Sequence, residues 1–117
     1  MDVAHHLAIG VSAILFSYYG FVCVVGERMA VEFERFGLPQ FRVLTGALEL
    51  LGAAGLVAGY VVPVLTVAAS GGLAALMVLG VLVRLRVRDP LVAMLPAIGL
   101  LFLNAWIFIH ALTRAPH

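Results

Sequence analysis

Residues 50–83 read LLGAAGLVAGYVVPVLTVAASGGLAALMVLGVLV, 34 positions without a charge. As one helix this stretch would run about 51 Å at about 1.5 Å per residue, against a membrane hydrocarbon core of about 30 Å. Pro63, just after Tyr60, sits near its middle, where proline removes a helix hydrogen bond and favours a break. The stretch therefore reads as two helices. The first half, Leu50 to Val62, reaches only about 20 Å and cannot cross. Extending it back to Val43 restores the length and draws Glu49 into the bilayer. A three-span alternative, with one long tilted helix, keeps Glu49 at the surface.

Outward from that stretch, Val3 to Gly26 and Pro90 to Thr113 are also free of charge, and each fits one membrane helix. The expected spans are 3–26, 43–62, 64–83 and 91–112, which use up most of the 117 residues and predict a single membrane domain over 1–117. Composition agrees: 64% of the residues are apolar and 11% charged, where soluble domains are about half apolar and about a quarter charged. Seven arginines, no lysine and a net charge of +1 give no basic footprint for nucleic acid. The single cysteine excludes an intrachain disulfide and a CxxC pair. Val3 to Gly26 lacks a basic flank and is too long for a signal peptide's apolar core. The predicted fold is all-α and integral to the membrane, a four-transmembrane-helix antiparallel bundle.

Arg28, Arg35 and Arg42 lie in the first connection and Arg84, Arg86 and Arg88 in the third, whereas only Arg114 lies elsewhere. The positive-inside rule places those connections in the cytoplasm and both termini outside it. Asp89-Pro90 suits a helix start, with Asp as N-cap and Pro at the first helical position. Within the first connection, Met29, Phe33 and Phe36 recur at helical spacing, and Arg28–Glu32 and Glu32–Arg35 are spaced for surface ion pairs. Gly37 and Pro39 end the pattern. A short amphipathic helix resting on the headgroups is expected here, with a plain anchored connector as the alternative.

Projection at about 100° per residue gathers Arg42, Thr45, Gly46, Glu49, Gly52, Ala53, Leu56 and Tyr60 on one face of the second span. The first span aligns His5, Ser12, Tyr19 and Gly26, with Cys23 a turn beyond Tyr19. The third aligns Thr66, Ser70, Met77 and Arg84, with Ala74 beside them, and the fourth Asn104, Ala97 and Ala111. Gly55–Gly59 and Ala68–Gly72 have the spacing of small-xxx-small contacts. Four polar stripes predict a partly polar interior. Glu49 stands out, since a charge at the bilayer centre costs about 2.5–3.5 kcal/mol and such acids usually pair or line cavities. It is expected about 9 Å below the membrane boundary, level with an inward-pointing Tyr19, with Thr45 able to donate to it. If Arg42 or Arg84 reaches down, Glu49 stays ionised; with only Tyr19 and Thr45 nearby the neutral acid is favoured. The plain alternative is that Glu49 only ties the bundle together.

Glu49 and Tyr19 are thus the candidate catalytic pair, and Ser12, Thr45, Ser70, Met77 and Asn104 the candidate ligand-binding lining. His5, His6 and His110 share one leaflet, but His5 and His6 point about 100° apart, poor spacing for a shared metal, so no metal site is assigned. Trp106 and Tyr18 read as packing or interfacial aromatics, and Cys23 as a reduced apolar filler.

The run from Glu27-Arg28-Met29 through Phe36-Gly37-Leu38-Pro39, followed by TGALELLG over 45–52, resembles the DoxX-like family of small bacterial membrane proteins. The Gly46-x-x-Glu49-x-x-Gly52 core is its most specific part, and the likeness extends over roughly residues 12–112. The resemblance implies a four-helix membrane bundle in the cytoplasmic (inner) membrane, with the family's acid at Glu49. It also implies association with thiosulfate or quinone-linked oxidation and with membrane complexes that handle oxidative stress. The expected function is an accessory membrane protein that binds a quinone or other lipophilic molecule in a polar cavity and docks a cytoplasmic redox partner. The alternatives are a membrane enzyme doing acid/base chemistry, such as isomerisation or ring opening, through Glu49 with Asn104 orienting, and an assembly scaffold. A homo-oligomer is compatible with each, and no cofactor is specified.

Overall fold

The computed structural model describes residues 3–114, with the backbone alone at Arg114. It is all-helical over that range: α1 (Val3–Val25), α2 (Glu27–Phe36), a 3₁₀ turn (Pro39–Phe41), α3 (Arg42–Ala58), α4 (Val64–Arg86) and α5 (Leu91–Arg114). Four segments are long and apolar enough to cross a membrane: Val3–Val25, Pro39–Ala58, Val64–Arg86 and Leu91–Thr113. The expected tails beyond the first and last spans lie outside the described residues.

The break falls as the length arithmetic requires. Residues 59–63 form turns between α3 and α4, and Gly59 and Val62 close back on Gly55 and Ala58. The long tilted helix of the three-span alternative is therefore absent. The boundaries differ from 43–62, however. The second span starts at Pro39 and ends at Ala58, because the 3₁₀ turn continues into α3 and the Tyr60–Pro63 corner unwinds before proline forces it to. Glu49 consequently lies near the middle of this 20-residue span, deeper than the expected one-quarter depth.

Packing runs in a ring. α1 lies along α3, α3 along α4, α4 along α5, and α5 closes onto α1 more sparingly. The core is formed by Ala8, Ile9, Ala13 and Phe16 of α1, Ala53 and Leu56 of α3, Leu73 and Met77 of α4, and Leu100 and Ile107 of α5. α1 and α3 approach closest at two glycines. A Cβ on Gly20 would stand 2.9 Å from the Gly46 carbonyl, and one on Gly46 2.8 Å from that of Gly20. Only a missing side chain permits this approach, the usual device for tight helix pairs in lipid. Gly55 and Gly59 face Ala69 and Thr66 of α4 in the same way. Gly72 faces open space, so the expected Ala68–Gly72 contact does not form.

The amphipathic helix of the first connection is α2. Gly37, at φ 78°, ends it, and Leu38 donates to the Phe33 carbonyl at 2.9 Å, a Schellman cap that favours glycine. Its apolar face, expected to rest on headgroups, turns onto the end of the bundle instead. Phe33 and Phe36 are buried against Cys23, with Met29, Leu38, Val83 and Val87 around them. Protein offers these two rings more complete burial than a headgroup layer does.

Asp89 and Pro90 sit one residue earlier than expected, since α5 begins at Leu91. The Asp89 carboxylate accepts from Arg35 at 2.7 Å and lies 3.4 Å from Arg84 rather than capping the helix. Glu32 pairs with Arg35 at 2.8 Å and stands 3.8 Å from Arg84. The hydrogen bonds from Arg35 hold both carboxyls below their ordinary range, and their acidic partners raise Arg35 in turn. Among the described residues no Arg28–Glu32 pair forms.

Candidate functional site

Glu49 projects from the inner face of α3 that also carries Gly46, Ala53 and Leu56, all buried. The 3.6-residue period of a helix fixes this stripe, because positions 46, 49, 53 and 56 fall within one narrow sector. At 7% exposure the side chain is sheltered from the surface. Its helix neighbour Gly46 abuts Cys23, which is also buried.

What is missing around the carboxyl defines the site. Among the described residues, Glu49 makes no hydrogen bond and no ion pair. Arg42, one of the two arginines that could have reached it, donates to the carbonyls of Cys23, at 2.9 Å, and Val24. These acceptors at the end of α1 lie closer to its own backbone than the carboxyl two turns further along. Arg84 is held by Glu32 and Asp89 and packs over the Phe36 ring at 5.3 Å. Neither arginine reaches Glu49, which removes the buried-pair alternative. Thr45 is half-buried and makes no hydrogen bond to Glu49.

Tyr19 departs from expectation too. It is 36% exposed and meets the Tyr18 ring edge-on at 5.5 Å, on the outer surface. A seven-residue spacing drifts by about 20° per heptad on a straight helix, so Tyr19 turns off the stripe begun at His5. The adjacent Gly20–Gly46 crossing leaves no room for a ring. Phe16, fully buried, occupies the interior of α1 instead.

The remaining lining residues point inward, and their polar atoms are committed to protein. Ser12 donates to Asn104 Oδ1 at 2.9 Å, and Asn104 Nδ2 donates to the Leu100 carbonyl at 2.9 Å. Ser70 donates to the Thr66 carbonyl at 2.7 Å. Ser12, Ser70 and Asn104 are fully buried and Met77 nearly so. The Ser12–Asn104 bond ties α1 to α5 while the others close within their own helices, and none of these groups is brought to hydrogen-bonding distance of Glu49.

Two grooves open on the outside of the bundle. One, of about 430 Å³, runs between α3 and α4 over Gly52, Gly55 and Gly72; the other lies between α1 and α3 over Ala53, Ala54 and Ala58. Leu48 borders the first and Leu50 the second, so the grooves flank α3 at the level of Glu49. The carboxyl itself lines neither of them.

At the far end, the histidines form a ring cluster that spacing alone did not reveal. His5 stacks on His110 at 4.5 Å, and His110 on Trp106 at 4.9 Å. His6 Nδ1 lies 2.6 Å from the Tyr60 hydroxyl. The contact brings α1, α5 and the α3–α4 corner together, which no single-helix projection can foresee. No group suited to a metal ion occurs among the described residues.

Nothing among curated proteins matches the chain, and nothing among solved structures does. A family model described as the DoxX-like family matches residues 7–107, from the first span well into the fourth. With four apolar helices and a match over most of its length, this multi-pass membrane protein belongs to the DoxX-like family.

Proposed function

We propose that the protein binds a lipophilic molecule, of which a quinone is one candidate, inside the bilayer, with Glu49 as the group that recognises its polar end. One observation carries the reading: a glutamate whose side chain, 7% exposed at mid-span, makes no hydrogen bond or ion pair among the described residues. Buried polar groups are nearly always paired, and an exception calls for an explanation. In a membrane helix such an acid is retained at a cost and is by default a functional group. A ligand carbonyl or hydroxyl would supply the partner the protein lacks.

The approach would be lateral. The grooves on either side of α3 are floored by glycine and alanine, so an isoprenoid or acyl tail can lie against them while its head turns inward. An antiparallel bundle supports this arrangement. His6, near the start of α1, meets Tyr60 beyond the end of α3, and Gly20, near the end of α1, meets Gly46 near the start of α3. By charge, the arginine-rich end and α2 lie at the cytoplasmic headgroups of the inner membrane.

The acid/base alternative is not carried forward. Its second group, Tyr19, is on the outer surface, and its orienting group, Asn104, is engaged with Ser12 and Leu100. Arg35, Arg42, Arg84 and Arg86 bond within the chain, which leaves the exposed Arg28 and Arg88 to meet a cytoplasmic partner. The test is organic extraction of protein purified in mild detergent, read by mass spectrometry. Wild type should retain a lipophilic molecule, and Glu49→Gln should retain at least tenfold less while melting normally. Equal retention by both would contradict the proposal.

A further inference from the structure

At the α2 end of the bundle, beside the Arg42 side chain that bonds the Cys23 and Val24 carbonyls, sits a hydrophobic stopper. Cys23, Phe33 and Phe36 form one buried cluster, closed by Met29, Leu38, Val83 and Val87. The helix that supplies both rings is joined to α1 through the single extended residue Gly26, where a Cβ would come within 2.5 Å of the Val22 carbonyl. At its other end it stops at the left-handed Gly37. A glycine, the residue with the widest backbone freedom, thus stands at each end of α2.

The helix is fastened on its exposed side. Arg35 bridges Glu32 and Asp89, Arg84 reaches both acids, and Arg86 donates to the Phe36 carbonyl. Arg35 and Arg84 also stand 5.1 and 5.3 Å from the Phe36 ring centre. The apolar contact is thus flanked by ion pairs open to solvent on the Arg35 side, with the Asp89 side chain 9% exposed; pairs reached by solvent are individually weak and screened by salt. A seal of bulky rings behind a weak ionic catch can open without unfolding the spans.

We propose that α2 is a hinged plug whose Arg35–Asp89 catch controls whether water and water-soluble molecules reach Cys23 and, beyond it, the interior of the bundle at Glu49. The purpose of the plug rests on the reading of Glu49 as the working group. Its existence is read at Cys23, so the two can fail separately.

Cys23 is the one cysteine of the chain and serves as a native reporter. The experiment is labelling of the protein in lipid nanodiscs with an uncharged, membrane-impermeant maleimide, followed by mass spectrometry. Wild type should react slowly in low salt and at least tenfold faster in Asp89→Asn. Raising salt to about 1 M, where the screening length falls to about 3 Å, should speed wild type in the same direction without any mutation. Val31→Ala, on the exposed side of α2, should leave the rate unchanged. The plug is overturned if folded wild type labels as fast as unfolded chain, or if salt leaves its rate unaltered. The salt series decides the matter even should Asp89→Asn fail to fold.

Discussion

A glutamate in the middle of a membrane span is costly, and this one meets no cation among the described residues. Arg42, the arginine nearest in sequence, bonds the carbonyls of Cys23 and Val24 instead. On the proposed reading, Glu49 adds little to folding and stays available to an external partner. Asn104 is the opposite case: its amide accepts from Ser12 across the bundle and donates within its own helix. Interhelical hydrogen bonds in membrane proteins average about 0.6 kcal/mol and reach about 1.7 kcal/mol. A double-mutant cycle of Ser12→Ala and Asn104→Ala, followed by unfolding in detergent, should give a coupling in that range. Zero coupling would mean that the pair does not hold α1 to α5. Glu49 was legible from sequence because span length alone forced it inward. Tyr19 was not, because helix drift and the neighbouring glycine crossing together decide where its ring turns.

At the scale of elements, two contacts do most of the positioning. The Gly20–Gly46 crossing sets the distance between α1 and α3. Gly46→Leu should destabilise the protein by about 1–3 kcal/mol, as overpacking does, while Gly72→Ala, facing open space, should be nearly silent in the same melt. Equal effects at the two sites would place the crossing elsewhere. The second contact, α2 against the bundle end, depends on Glu32 and Asp89, both held below their ordinary values by Arg35. A carboxyl depressed by folding contributes stability above its unfolded pKa and loses it as pH falls through the lower folded value. With ordinary values of about 3.9 for Asp and about 4.3 for Glu, the contribution is complete above about pH 5. The melting difference between wild type and Asp89→Asn should therefore be constant from about pH 7 to 5 and vanish in stronger acid. A difference that grew on acidification would have the wrong sign. The existence of α2 was readable from Met29, Phe33 and Phe36. Its docking partner was not, since Val83, Val87 and Asp89 lie about fifty residues along the chain, and pairings at that distance leave no periodic trace.

Across the whole molecule the four spans follow from hydrophobic length, and the inward stripes of α3, α4 and α5 from helical period. The outer grooves and the His5–His110–Trp106 cluster are products of three-dimensional packing alone. The result is a bundle with a polar middle at Ser12 and Asn104, an aromatic stopper at one end and between them an acid with no partner among the described residues. Reaction with two carbodiimides, one lipophilic and one confined to water, mapped by mass spectrometry on protein in bilayers, probes that acid most directly. The lipophilic reagent should modify Glu49 and the aqueous one should modify exposed Glu27 and Glu34 while sparing it. Modification of Glu49 by the aqueous reagent as fast as Glu34, or its indifference to the lipophilic one, would contradict a sheltered carboxyl open to lipophilic molecules.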